Sequence, residues 1–193
     1  AIDPGVYRPG SGPREDLILT TANMALGNGV RKCIGEIIRA APMVRQVCPT
    51  VRFVLAGEPD PRYLELARAV GAADYVDFPG LVDRETKVGL MQRCRIYLQP
   101  TRFEGFGLAI AEAMACGAPV VTSPEGAVPE VVGDTGVYVD GRSPADIARG
   151  VVQLLGDRSR QDTLSARGRE RIATHFSLLR HREQWAAVIA GLG

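Results

Sequence analysis

The sequence predicts an α/β fold: a doubly wound, mostly parallel six-stranded sheet with helices on both faces. Three observations carry that expectation. Short apolar runs of strand length alternate along the chain with stretches of helical period. The turns after the first five runs hold glycine or proline. Residues 100–130, PTRFEGFGLAIAEAMACGAPVVTSPEGAVPE, read as strand end, glycine loop, helix and strand. That is a βαβ unit, and its loop falls at the carboxyl end of the sheet, where open α/β folds bind ligands.

Taken in order, residues 1–13 hold three prolines and three glycines without periodicity, which predicts a linker tail with no core element. Residues 14–193 form the expected domain. Leu17 to Thr20 is a buried strand by continuity. Val30, Ile34, Ile37, Ile38 and Ala41 then line one helical stripe, with Pro42 and Pro49 bounding its exit. Residues 51–56 make the second strand, and Asp60-Pro61 is a cap and first turn for the next helix. Residues 75–78 give a short third strand. Asp83 caps the helix that holds Val88 and Met91, and residues 95–98 are the fourth strand. Residues 119–122 and 136–139 are the fifth and sixth. Ser143-Pro144-Ala145-Asp146 resembles a capping box ahead of Ile147, Val151, Leu154 and Leu155. An arginine-rich helix over 158–175 and a last helix capped by Ser177 complete the chain.

Composition narrows the function classes. At 193 residues, 46% hydrophobic and 23% charged, the chain can bury one sizeable core. A net charge of +1 argues against a nucleic-acid binder, whose basic footprint should dominate. Of the 23 basic residues all but Lys32 and Lys87 are arginine, read as a coding bias. Cys33, Cys48, Cys94 and Cys116 form no C-x-x-C pair, so neither a zinc site nor a disulfide framework is indicated. Reduced core cysteines, no apolar run of spanning length and no signal peptide point to the cytoplasm. The arginines of residues 158–182 outnumber their acids and suit a solvated face or, alternatively, a peripheral contact with an anionic membrane surface.

The loops carry the chemistry. In a parallel sheet, residues 21–29, 57–61, 79–83, 101–107 and 123–129 emerge on one edge. Gly27, Gly29, Gly105 and Gly107 sit where loops feed helices, exposing backbone N–H groups to an anion. The inferred ligand bears phosphate, and a diphosphate would span the first and fourth loops. A dinucleotide fingerprint would need glycine where Lys32 or Ile110 stands, and no Walker loop is present. Glu104 and Glu112 are too far apart for the paired carboxylates of a glycoside hydrolase. They read instead as two separate acceptors for ligand hydroxyls. Ala109, Ala111, Ala113 and Ala115 imply close burial around Glu112, and a polar exception there needs a reason. His175 and His181 stand on the terminal helices, expected far from every loop, and no metal-ligand spacing is found.

At these residues the chain resembles the carboxyl-terminal domain of the retaining GT-B glycosyltransferases, particularly family 4 (glycosyl transferases group 1). Glu104 and Glu112 match its E-x7-E motif within E-G-F-G-L-A-I-A-E. Gly126-Ala127-Val128-Pro129-Glu130, followed by Val131-Val132, resembles its G-G-V-P-E-V-V segment. Residues 49–58, Phe78-Pro79-Gly80, Gly136 with Val139-Asp140, and the linker-like Ile2 to Pro9 also match. The resemblance implies a Rossmann-like single GT-B half that binds a UDP-, GDP- or ADP-sugar without a metal or other cofactor. By analogy Glu104 would hold the donor sugar at the catalytic centre. Gly105, Phe106, Gly107 and Leu108 would offer N–H groups to sugar and phosphates, and Glu112 would grip the ribose. Gly57, Glu58, Leu81 and Val82 would line the nucleoside end.

Two departures matter. The family's G-R and K-G pairs clasp the diphosphate, but alignment on Gly29 puts Asn23 and Asn28 at the basic positions. Arg31 or Lys32, one turn on, is a candidate substitute. The acceptor half, which comes first in such enzymes, is expected in cis or from a separate chain. Trp185, Val188, Ile189 and Leu192 then form a candidate interface patch. The first reading is a donor-binding domain, inactive alone in transfer of a hexosyl group. The alternative is a non-catalytic interaction module that keeps the fold with weakened or lost donor binding.

Overall fold

The computed structural model describes residues 1–25 and 27–191. Its elements are β1 (Glu15–Thr21), α1 (Gly27–Arg31), α2 (Ile34–Val47), β2 (Arg52–Ala56), α3 (Pro61–Ala69), β3 (Val76–Asp77), α4 (Arg84–Arg93) and β4 (Cys94–Gln99). They continue as α5 (Leu108–Ala115), β5 (Val120–Thr122), α6 (Val128–Val132), β6 (Val137–Tyr138), α7 (Pro144–Leu155), α8 (Arg158–His175) and α9 (Leu178–Ala190). The six strands are all parallel, in the order β3-β2-β1-β4-β5-β6. The order reverses between β1 and β4, and the loops leaving those two strands flank the crevice that such a reversal opens.

Strand alternation divides the core in two. Ile18, Phe53, Ile96 and Val121 point to one face with the inner sides of α2 and α7. Leu19, Tyr97 and Val120 point to the other, against α5 and Ile172 of α8. The expected caps are present: Asp60, Asp83, Ser143 and Ser177 each accept a backbone N–H from the first turn they precede. No helix among the described residues is long and apolar enough to cross a membrane.

Several expectations need correction. The stripe from Val30 to Ala41 is not one helix, because Cys33 adopts a left-handed φ of 52° and separates α1 from α2. Val30 is therefore exposed rather than core. Pro42 lies inside α2 and does not end it. Buried Ala40, Ala41 and Val44 carry the helix across the one backbone bond that proline cannot make. Residues 1–13 are not free of the core either. Ile2 is buried, its N–H donates to the Phe176 carbonyl at 2.8 Å, and its carbonyl accepts from Leu178 N–H at 2.8 Å. Trp185, Val188 and Ile189 are exposed on α9, as expected; Leu192 lies outside the described residues.

The first three loops are tied together at the sheet edge. Ala22 N–H donates to the Ala56 carbonyl, and Gly57 N–H donates to Gly80, each at 2.9 Å. Gly57 has φ 142°, and a Cβ there would stand 1.8 Å from the Ala22 carbonyl oxygen. Gly57→Ala is accordingly expected to lose on the order of 3 kcal/mol of stability. Urea unfolding measures this as a lower midpoint at unchanged slope. A midpoint equal to that of the parent chain would mean these loops are free to part.

Candidate functional site

The first and fourth loops meet at the strand-order reversal through one carbonyl. Arg31, the last residue of α1, accepts from Arg102 N–H at 2.8 Å and from Thr101 Oγ1 at 3.1 Å. The left-handed turn at Cys33 ends α1 there, which leaves that carbonyl outside the ladder of α2. Thr101 is itself held by Ser123 Oγ, which accepts its N–H at 2.7 Å and donates to its carbonyl at 2.8 Å. Three loops are thus joined before any ligand is present.

Glu104 is seated by the fifth loop. Ala127 N–H donates to the Glu104 carbonyl at 2.9 Å, and Gly126, with φ 62°, lies so close that a Cβ would fall 2.2 Å from that oxygen. The glycine of the G-A-V-P-E segment is needed for close approach; the alanine beside it is not so constrained. The Glu104 carboxylate forms an ion pair with Lys32 Nζ and lies 3.5 Å from Arg31 Nη1. Burial alone would raise its pKa. Lys32, the Arg31 charge and the Gly107 N–H together outweigh burial and hold it below the ordinary glutamate value. The side chain is only 13% exposed, so Glu104 is not turned to bulk water.

Lys32 is equally enclosed, and burial lowers its pKa despite Glu104. Beneath it runs a buried polar chain. With its amide oriented to satisfy its neighbours, Gln99 accepts from Lys32 Nζ at 2.6 Å and donates to Tyr97 Oη and the Thr21 carbonyl. Tyr97 Oη in turn lies 2.7 Å from Thr21 Oγ1. This ties the ends of β1 and β4 under the site.

Glu112 occupies the interior of α5 at 5% exposure, confirming the burial its alanine neighbours imply. It accepts from Lys87 Nζ of α4 at 2.8 Å. Tyr7, from the amino-terminal segment, covers the pair, with Lys87 Nζ 5.4 Å from its ring centroid. Burial, then the hydrogen bond to Glu112, raise the Tyr7 pKa against the pull of Lys87. The Lys87 pKa rises as well: burial lowers it, but Glu112 and Tyr7 more than compensate.

The other expected residues divide. Gly107 has φ 85° at the N-cap of α5, a conformation that favours glycine, and Gly105 and Leu108 are exposed beside it. Phe106 leans away, its ring edge-on to Phe176 at 5.7 Å. Phe106 of the fourth loop shares one hollow with His175, Phe176 and His181, so both histidines stand beside that loop, contrary to expectation. The contact that places them there is the Phe106–Phe176 ring pair at the end of α8. Asn23 and Asn28 are both exposed. The first accepts Ala25 N–H at 2.9 Å and the second accepts from Arg31 Nη2 at 3.4 Å. Glu58 is exposed, and its carbonyl accepts from Met24 N–H at 3.2 Å. Leu81 projects into solvent, whereas Val82 lines a hollow of about 420 Å³ with Val54, Phe78 and Pro79.

Sequence reasoning missed Lys87, Tyr7, Gln99 and Tyr97. A signal for the lysines existed: in a chain whose other 21 basic residues are arginine, both lysines pair with the two motif carboxylates. No comparable signal marked Tyr7, because its segment has no period.

The model of the family Glycosyl transferases group 1 matches residues 15–157. The chain is 33% identical over 159 residues to the GDP-mannose-dependent alpha-(1-6)-phosphatidylinositol monomannoside mannosyltransferase of Mycobacterium tuberculosis. That match covers 76% of this chain and 41% of the relative, so the chain spans well under half of the length of that protein. The C-terminal domain of a glycosyl transferase group 1 family protein, LpcC, from Francisella tularensis has the same fold, with a TM-score of 0.79 at 24% identity. It is matched over 92% of this chain and 100% of its own. Anabaena HepE, solved in complex with UDP and glucose, superposes with a TM-score of 0.84 at 19% identity, over 98% of this chain and 55% of that one.

The Glu104 geometry predicts an acid-sensitive contribution. A carboxyl whose folded pKa is depressed stabilises fully above its unfolded value, about 4.3, and the contribution fades as pH falls through the folded value. The stability gap between the parent chain and Glu104→Gln, from urea unfolding, should be flat above about pH 6 and shrink between about pH 5 and pH 3. A gap that persists unchanged at the acid end rules out this ion pair as its source.

Proposed function

This chain belongs to the glycosyl transferases group 1 family, and from that premise we propose that it binds the nucleotide-diphosphate sugar donor of a retaining glycosyltransferase. One observation carries the reading. Glu104, just before the glycine loop that opens α5, and Glu112, inside that helix, are both enclosed, and each is held by a lysine. A buried carboxylate with its own counter-ion is an expensive arrangement for a fold that has no use for it.

In this reading Glu112 accepts from the ribose diol and Glu104 from the hydroxyls of the donor sugar. The amides of Gly105 and Leu108, both exposed residues at the positive end of α5, would face the phosphates. Leaving-group charge is carried by those amides and by side-chain cations, with no metal ion required. The name of the M. tuberculosis relative, a GDP-mannose-dependent transferase, supports the substrate class. HepE supports it at the level of the fold, through the UDP and glucose of its complex. Hexosyl transfer would need an acceptor-binding half, which the exposed face of α9, with Trp185, Val188 and Ile189, is suited to meet.

Calorimetric titration with UDP, GDP and ADP tests the reading. One of the three should bind, and Glu112→Gln should weaken it by about tenfold or more, the scale of a hydrogen bond to a charged group. No heat with any of them, or inorganic phosphate competing on equal terms, sinks it.

The neutral Asn23 and Asn28 favour a second reading, a non-catalytic module of the same fold. Here the double variant Asn23→Arg, Asn28→Lys should bind nucleoside diphosphate while the parent chain does not.

A further inference from the structure

We propose that the hollow under the amino-terminal segment binds a single-chain amphiphile with an anionic head, a carboxylate on an alkyl chain being the simplest case. Residues of that segment, of α5 and of α8 line it. The loops at the carboxyl edge of the sheet contribute no residue to that lining, so the site is separate from the one that would hold a sugar donor.

The hollow is held open by the fold. Its volume is about 510 Å³, within the roughly 300–1,000 Å³ of small-molecule sites. Ile2, Pro4 and Pro9 line it from the segment, and Ala115, Ile172 and Ala173 line it from the domain. Two anchors fix the segment. At one, the Ile2 backbone bonds to Phe176 and Leu178; at the other, the Arg8 carbonyl accepts from Gln92 Nε2 at 2.8 Å. Near the first anchor, a turn in which the Asp3 carbonyl accepts from Val6 and Tyr7 N–H stiffens the segment, as does the fixed φ of its prolines. The alanines of the other wall are too short to fill the gap. A space this large is uncommon in otherwise close packing.

The lining decides the class of occupant. Ile2 and Ile172 are buried, and an apolar floor calls for an apolar body whose transfer from water drives binding. Exposed Arg8 and Arg169 stand at the rim. Among the described residues neither guanidinium reaches an acid or a carbonyl. Arg14, Arg95 and Arg171, by contrast, each hold a backbone carbonyl. Glu170 shares the rim, so the mouth keeps one net positive charge. An anionic head there gains charge-assisted hydrogen bonds from donor forks that are otherwise unused. Ser177, buried at the hollow, accepts Arg180 N–H at 3.2 Å and keeps its hydroxyl proton to donate. Other occupants fit less well. A peptide would bring backbone groups that proline and alanine side chains leave unpaired. A cationic or neutral amphiphile gains nothing from the arginines. A bilayer surface would meet the rim and leave the floor unfilled.

Calorimetric titration of the chain with octanoate, decanoate and dodecanoate, each below its micelle concentration, tests the proposal. Affinity should climb with chain length, by up to about fourfold for each added methylene. Decanol should bind about tenfold or more weakly than decanoate, and decyltrimethylammonium should give no heat. The double variant Arg8→Gln, Arg169→Gln should bring decanoate down to the affinity of decanol and leave decanol itself unchanged. Ala173→Trp, at an exposed position of α8, should fill the hollow and abolish binding of both.

No heat with any of the carboxylates overturns the proposal, and so does an affinity that ignores chain length. Equal binding of decanoate and decyltrimethylammonium, or decanoate binding undiminished in Ala173→Trp, does the same. Flotation with phosphatidylglycerol vesicles separates out the membrane surface. Vesicle binding that is lost in the double arginine variant, with no decanoate binding by the parent chain, gives the arginines to a bilayer and overturns the hollow as their purpose. If Ala173→Trp does not fold, the chain-length series and the double arginine variant decide, the latter changing only exposed residues. Titrations with UDP, GDP and ADP report on a different site, so failure here leaves donor binding where it stood.

Discussion

The carbonyl of Arg31 holds the site together. It sits at the end of a helix broken by the left-handed turn at Cys33, and it accepts from two groups of the fourth loop, Thr101 Oγ1 and Arg102 N–H. A continuous helix would have spent that acceptor on its own next turn. The interruption therefore couples β1 to β4 at the place where the sheet changes direction. It also sets the next residue, Lys32, against Glu104. The cost is one non-glycine residue at positive φ, roughly 1–2 kcal/mol. Complete burial of Cys33 and Ile34 behind the kink offsets it.

The second constraint is electrostatic. Glu104 and Glu112 are both largely withdrawn from solvent, and removing a carboxylate from water without a partner is very costly. The fold meets this with one lysine for each acid, drawn from different elements: Lys32 beyond α1 and Lys87 in α4. The pairs are not equivalent. Lys87 is covered by the Tyr7 ring and its charge is cancelled, so this end of the site is closed and neutral. Lys32 shares its acid with Arg31, so the other end is left positive.

Much of this was legible in the sequence, for identifiable reasons. The parallel sheet could be read because its buried strands are continuous apolar runs, and the caps because Asp60, Asp83, Ser143 and Ser177 each precede a helical period. The acids stood out because Glu112 interrupts a run of alanines. What failed were features decided by tertiary contact. Nothing local marks Cys33 as left-handed, and helical period carried the expected stripe straight through it. Pro42 reads as a terminator until the burial around it is known. The segment from Ile2 to Tyr7 has no pattern of its own, because it docks through two backbone hydrogen bonds and one ring. The lysines were visible as exceptions in composition, but their partners emerge only when the first and fourth loops meet and α4 packs beside α5.

That amino-terminal segment has a mechanical consequence. Asp3 folds residues 3–7 into a tight turn, its carbonyl accepting from Val6 and Tyr7 N–H and its side chain from Gly5 N–H. Ile2 on one side is bonded across the junction of α8 and α9, and Tyr7 on the other rests on Lys87 and Glu112. The root of the last helix and the ring that rests on Lys87 and Glu112 therefore hang on one short turn of the chain's first segment.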